Sequence, residues 1–204
     1  MFEAGFDVVA PSLPGFGFSD RPVRGGMNTF RIAELWVGLM GELGYPCFVA
    51  QGGDFGASVS TILGLRHADR VAGIHLNYIP VSYRPALEAD CGGDVETRFT
   101  KDELLAHVTL YWMTETISSS FRLYNESKKA PLVFAAGERV RVPCGIARFP
   151  LEAPFPPREW VARGYNIERW TEMARGGHFA AAEEPELLAA DMRQFFSGVW
   201  ERPK

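Results

Sequence analysis

Apolar positions along the chain fall into short runs and into stretches at helical spacing, and the order in which the two alternate predicts the architecture. Residues 6–10 (Phe-Asp-Val-Val-Ala) form a short apolar run ending at Pro11 and a glycine-rich segment, as a buried parallel strand entering a loop does. Residues 29–41 place Ile32, Leu35, Trp36, Leu39 and Met40 at helical spacing, with Asn28 or Thr29 available to cap the start and Gly41 or Gly44 near the stop. Residues 47–51 predict a second strand, 57–65 a second helix with small residues on one face, and 71–76 a third strand. Strand and helix alternating in this way predict an α/β fold with a doubly wound, mainly parallel sheet.

The alternation stops after Pro80. From Thr100 to about Asn125 the pattern is helical and apolar, opened by Thr100-Lys-Asp-Glu103, the spacing of a capping box. Strand and helix signals resume over residues 140–147, 157–163 and 167–173, and a closing helix runs over 185–196. The pattern reads as a single domain over residues 1–204, with a short helical excursion inserted at about 81–130.

Composition narrows the function. At 47% hydrophobic and 23% charged, the 204 residues have the makeup of an ordinary globular domain. The longest stretch without Asp, Glu, Lys or Arg, Val71 to Tyr83, is well short of the roughly 18 apolar residues of a membrane span. No membrane span is expected. The first residues lack a basic and an apolar region of the secretory kind, so a reducing cytoplasm is the default. Cys47, Cys91 and Cys144 are odd in number and widely spaced, which predicts free thiols and neither a disulfide framework nor a zinc site. A net charge of -4 without a basic run argues against nucleic acid. A small, weakly polar substrate is the better fit.

The chemistry concentrates in three segments. Gln51-Gly-Gly-Asp-Phe-Gly-Ala57 lies between a predicted strand and helix, with Gly52 and Gly56 two positions either side of Asp54. That is the spacing of a nucleophile elbow, where strand and helix backbones come close. An aspartate at its centre is already ionised at pH 7 and can attack a saturated carbon to form an ester. An ordinary turn aspartate would show the same local composition. Arg175-Gly-Gly-His178-Phe follows the last predicted strand, where a histidine would overlook the ligand crevice of such a sheet. His67, His75 and His107 sit inside helical or strand patterns and read as structural or surface residues. Arg148-Phe-Pro-Leu-Glu152 supplies an acid just past a strand, so the chain order is Asp54, Glu152, His178. This nucleophile, acid, histidine order is that of α/β-hydrolases.

These segments, with the run from Phe6 to Asp20, Leu110-Tyr-Trp112, Ser119-Ser-Phe-Arg-Leu-Tyr124, Val142-Pro-Cys-Gly145 and Met173 to Ala181, resemble the microsomal-type epoxide hydrolases of the α/β-hydrolase superfamily. The resemblance covers nearly all the chain except about residues 81–90. It implies that Asp54 is the nucleophile, His178 the general base and Glu152 its acidic partner. It also implies that Tyr124 is one of two tyrosines that donate to the epoxide oxygen, with Phe55 and Trp112 at the oxyanion and substrate positions. No cofactor or metal is implied; the partners are a small apolar epoxide and water.

The sequence departs from the family pattern in three places. No His-Gly-Trp-Pro type motif is present, which leaves the Phe55 N–H as the oxyanion donor. Only about fifteen residues fill the stretch where the family carries its second tyrosine, and Tyr78 and Tyr83 are poor substitutes. Glu115 stands where a glycine is usual. With residues 6–10 as its first strand, the sheet is expected to have an unfinished edge, inviting homo-oligomers. A haloalkane dehalogenase, which shares the aspartate, and a catalytically impaired remnant are the competing readings. The Phe55 ring has no N–H for a halide, and Asp54 disfavours a serine esterase.

Overall fold

The computed structural model describes residues 5–80, 95–97, 99–152 and 155–200. Strands β1 (Phe48–Gly52), β2 (Val71–Leu76), β3 (Val140–Arg148) and β4 (Tyr165–Glu172) form one sheet in the order β1-β2-β3-β4. All three neighbouring pairs are parallel. Helices α1 (Thr29–Glu42) and α2 (Asp54–Arg66) alternate with the first strands, and α3 (Lys101–Thr114) and α4 (Ile117–Lys129) form the excursion. Short helices α5 (Arg158–Gly164) and α6 (Ala180–Glu183) precede the closing helix α7 (Pro185–Trp200).

Two apolar layers hold the sheet. On one face Ile32 of α1 and Ala57 and Ile62 of α2 join Ile74, Leu76 and Ile146 from the strands. On the other, Leu188, Met192, Phe195 and Phe196 of α7 pack with Ala147 and Phe149. Alternation within β1 serves both faces: Phe48 and Ala50 belong with the first layer and Val49 with the second. The sheet accepts α7 closely because two strand positions lack side chains. A Cβ on Gly145 would lie 2.9 Å from the Phe195 ring, and one on Gly73 3.1 Å from Val199.

A buried polar clasp fixes α7 further. His75 Nε2 of β2 lies 2.9 Å from Asp191 Oδ2, while Arg169 Nε and Thr171 Oγ1 of β4 donate to Asp191 Oδ1 at 2.6 and 2.7 Å. Burial alone would raise the Asp191 pKa, yet hydrogen bonds from His75, Arg169 and Thr171 together bring it down to about 2. His75 therefore has the structural place that its strand pattern predicted.

Local signals act as written at the starts of two helices. Asn28 Oδ1 accepts from Arg31 N at 3.1 Å and caps α1, and Thr100 with Glu103 forms the capping box of α3. Three expectations are corrected. Residues 6–10 form no strand, because no strand among the described residues pairs with them to complete a ladder. The helical run of residues 100–125 is two helices, broken where Glu115 takes the left-handed conformation (φ +51°) and caps α3. A glycine would adopt that conformation freely, whereas a side chain there costs about 1–2 kcal/mol. Finally, α2 begins at Asp54 and not at 57. The first part of the excursion, including Tyr83 and Cys91, lies outside the described residues.

Candidate active site

β1 ends at Gly52 and α2 starts at Asp54, so Gly53 alone makes the connection. The turn is so tight that a Cβ on Gly52 would lie 2.1 Å from the carbonyl of Gly56. A Cβ on Gly53 would lie 2.7 Å from Asn77 Nδ2. Nothing lies within 4 Å of a Cβ on Gly56, so the close approach resides at Gly52 and not at both flanking glycines. Asp54 itself has φ +45°, a left-handed conformation that non-glycine residues rarely hold. Its side chain is about half exposed at the N-terminus of α2, with the Phe55 N–H next in the chain. That amide belongs to the first turn, which has no acceptor within the helix.

The two other candidate residues come from the ends of neighbouring strands. Past β3 and β4, Leu151 and Gly177 make an isolated parallel bridge, and Leu151 N donates to Gly176 O at 3.1 Å. The bridge sets the residues after it, Glu152 and His178, side by side. His178 Nδ1 lies 3.0 and 3.1 Å from the two Glu152 carboxylate oxygens, and Nε2 lies 3.1 Å from Asp54 Oδ2. Ionised carboxylates only accept, so a ring bonded at both nitrogens carries both protons. Consistently, Asp54 first and Glu152 second raise the His178 pKa to about 10, against the opposing effect of burial. The Glu152 side chain is buried.

Aromatic rings border this trio. Tyr124 of α4 meets Phe55 edge to face at 4.7 Å, while Tyr78 and Phe179 stand against His178 at 6.1 and 5.1 Å. Burial, followed by the charge of Asp54 and the nearby Tyr111, raises the Tyr124 pKa, so its hydroxyl keeps its proton. α4 is held over the site by the loop before α1: Ser119 Oγ donates to Gly15 O at 2.6 Å and Gly26 N to Glu126 Oε2 at 2.8 Å. Trp112 is placed differently. It is 82% exposed on α3, a helix with no buried residue.

Three features of the site escaped the sequence reading. Gln51 Nε2 donates to Asn77 Oδ1 at 2.8 Å beneath the elbow, which ties the end of β1 to the residue after β2. Their signal was only that both are polar residues closing apolar strands. Tyr78, dismissed as a substitute tyrosine, packs on the histidine. Phe179 is simply the neighbour of His178.

A tight strand-to-helix turn carrying Asp54, followed in chain order by an acid and a histidine at the same ends of parallel strands, is the arrangement of the α/β-hydrolase fold, and a family model for the alpha/beta hydrolase fold matches residues 2–90. A provisionally named epoxide hydrolase of Stigmatella aurantiaca is 34% identical, over 95% of this chain and 57% of its own length. Epoxide hydrolase 1 of Sus scrofa is 30% identical, over 93% of this chain and 60% of its own. The crystal structure of juvenile hormone epoxide hydrolase from Bombyx mori superposes with a TM-score of 0.81 at 28% identity, covering 94% of this chain and 60% of that one. The chain has the α/β-hydrolase fold, is similar to these epoxide hydrolases over nearly all of its own length, and spans about three fifths of theirs.

Proposed function

We propose that this chain hydrolyses small apolar epoxides to vicinal diols through a covalent ester on Asp54. The observation that carries the reading is the histidine bridging two carboxylates at the elbow, with Nε2 3.1 Å from Asp54 and Nδ1 3.0 Å from Glu152. In the first step an Asp54 carboxylate oxygen attacks an epoxide carbon. The carbon–oxygen bond breaks, its electron pair stays on the oxygen, and Tyr124 donates a proton there to leave a hydroxyalkyl ester. Tyr124 then regains a proton from solvent.

In the second step His178 Nε2 takes a proton from water, and the resulting hydroxide adds to the ester carbonyl. The Phe55 N–H holds the oxyanion; as the tetrahedral adduct collapses, the bond from the carbonyl carbon to the ester oxygen breaks, the departing alkoxide takes the proton held by His178, and the diol leaves while the Asp54 carboxyl loses its proton to solvent and is restored as carboxylate. Alkylation also prepares the base. Once Asp54 is a neutral ester, the largest cause of the raised His178 pKa is gone, and the imidazole loses its proton more readily. Glu152 remains to orient the ring and stabilise its cation.

Converting reactive apolar epoxides into polar diols would make the protein detoxifying. The free thiols of Cys47 and Cys144 fit a reducing cytoplasm. Among the described residues no helix is long and apolar enough to cross a membrane. A single turnover of styrene oxide by excess protein in oxygen-18 water tests the scheme: the diol should contain only ordinary oxygen and the label should enter Asp54. Label in the diol after one turnover would mean direct attack by water and would overturn the ester.

A further inference from the structure

The proposed reaction depends on His178 standing between two carboxylates, yet the segment that carries it is neither helix nor strand. β4 ends at Glu172 and α6 begins at Ala180, and between them Gly177 alone joins a bridge. A loop held at one bridge can pivot about it. A ring that works at 3.0 Å from Glu152 and 3.1 Å from Asp54 needs its backbone fixed from a second side.

The two acids that follow the histidine supply that fixing. Arg175 Nε donates to Glu184 Oε1 at 2.7 Å, and Phe179 N donates to Glu183 Oε1 at 2.9 Å, so the chain is tied both before and after His178. Between these ties Gly176 takes φ +100°, and a Cβ there would lie 2.8 Å from the Phe149 ring and 2.9 Å from Glu184 Cγ. The loop is gripped between Phe149, itself buried, and the stem of Glu184. Glu184 is fastened in turn to the core. It is buried, and its carbonyl accepts from Leu188 N of α7 at 3.1 Å, with Leu188 in the apolar layer that α7 packs on the sheet. An ion pair exposed on both sides would count for little. This one differs, since the Arg175 side chain is 64% exposed but that of Glu184 only 8%. The charges that shift the His178 pKa are those of Asp54 and Glu152, which leaves the backbone as the route from Arg175 to the ring.

We propose that Glu184 and Arg175 are positioning residues for His178, holding its loop so that the imidazole stays between Asp54 and Glu152. The proposal rests on the reading of His178 as the base of ester hydrolysis, and goes beyond it by naming what keeps that base in place.

Arg175→Gln tests this, because charge and position then pull in opposite directions. Removing a cation near an unmoved imidazole would raise its pKa or leave it alone, whereas a slackened loop draws the ring away from its carboxylates and lowers it. NMR titration should show the His178 proton held about tenfold less tightly in Arg175→Gln than in the parent chain. Arg175→Lys, which restores a cationic donor for Glu184, should recover most of that loss. A His178 pKa unchanged or raised by Arg175→Gln would overturn the proposal. Intact-mass kinetics with styrene oxide give a second readout: ester hydrolysis, which needs the base, should slow about tenfold more than alkylation, which does not. Equal slowing of both steps would reduce the contact to support of the fold and overturn the positioning role. Absence of any ester in the parent chain would instead sink the epoxide reading, and the titration would still decide whether Arg175 holds the ring.

Discussion

With Nε2 3.1 Å from Asp54 and Nδ1 3.0 Å from Glu152, the His178 ring is protonated in the free protein, and a protonated imidazole takes no proton from water. Asp54→Asn keeps the shape of the side chain and removes the charge that contributes most to the shift, so the His178 pKa should fall clearly below about 10 in an NMR titration. An unchanged value would mean that Glu152 alone sets it. The sign for stability is opposite to that for activity. Because folding raises this pKa from 6.5, the contribution of the pair to stability is fully present below about pH 6.5 and is lost as pH rises through about 10. Urea unfolding at pH 6 and pH 10 should show that loss, and Asp54→Asn should reduce it. His178→Ala should separate the two chemical steps: alkylation needs no base, so intact-mass spectrometry with styrene oxide should show a stable adduct of the substrate's mass. Of these residues, the spacing around Asp54 and the order Asp54, Glu152, His178 were legible in the sequence. The Leu151–Gly177 bridge that aligns the last two was not, since two residues carry it and neither has a side-chain signature. The exposure of Trp112 was not legible for a related reason: helical spacing marks a face but not what covers it, and α3 has no buried residue.

Elements differ in how far their own residues determine them. α1 and α3 were legible because Asn28, Thr100 and Glu103 satisfy helix ends locally. Residues 6–10 were misread because a strand exists only with a ladder partner, and their apolar run is the same whether or not one is present. The break at Glu115 was hidden by continuous helical periodicity on both sides. Gly52 is the position on which the β1–α2 connection depends most. Gly52→Ala should prevent normal folding, since its methyl would overlap the Gly56 carbonyl at 2.1 Å and no flexible side chain is there to give way; circular dichroism and thermal melting would show it. Gly56→Ala should melt near the parent chain. Asp191→Ala should destabilise by about 3–5 kcal/mol, the usual result of removing one partner of a buried charge pair, because it leaves His75 and Arg169 facing a gap under α7. Denaturant unfolding at pH 7 measures it, and a change below about 1 kcal/mol would mean that apolar packing alone holds α7.

At the scale of the whole molecule, the exposure of the site sets a limit on rate. The Asp54 side chain is about half exposed, and Tyr124 and Phe179 are 47% and 57% exposed, so water reaches each group that must stabilise charge. Two unit charges 4 Å apart interact by about 4 kcal/mol in a partly shielded protein site but only about 1 kcal/mol in bulk water, and the same dilution applies to the Tyr124 hydroxyl and the Phe55 N–H. In the proposed scheme the Phe55 N–H is the oxyanion donor that the elbow supplies, and a single such donor is worth about 10²–10³ in rate. The first step suffers less than the second, because attack by an ionised Asp54 needs no base, whereas ester hydrolysis needs both the histidine and the oxyanion donor. This chain should therefore alkylate faster than it hydrolyses, with the ester accumulating and steady-state turnover of styrene oxide below about 1 s⁻¹, the low end of typical enzymes. Rapid mixing followed by intact-mass analysis would show a burst of ester equal to the protein present, then slow diol formation. Turnover above that rate without a burst would mean that the open site still excludes enough water to serve hydrolysis. Glu152→Gln should deepen the imbalance by up to ~10⁴ on the second step alone, as loss of the buried acid does behind a catalytic histidine. An equal slowing of both steps would instead place Glu152 in support of the fold around the elbow.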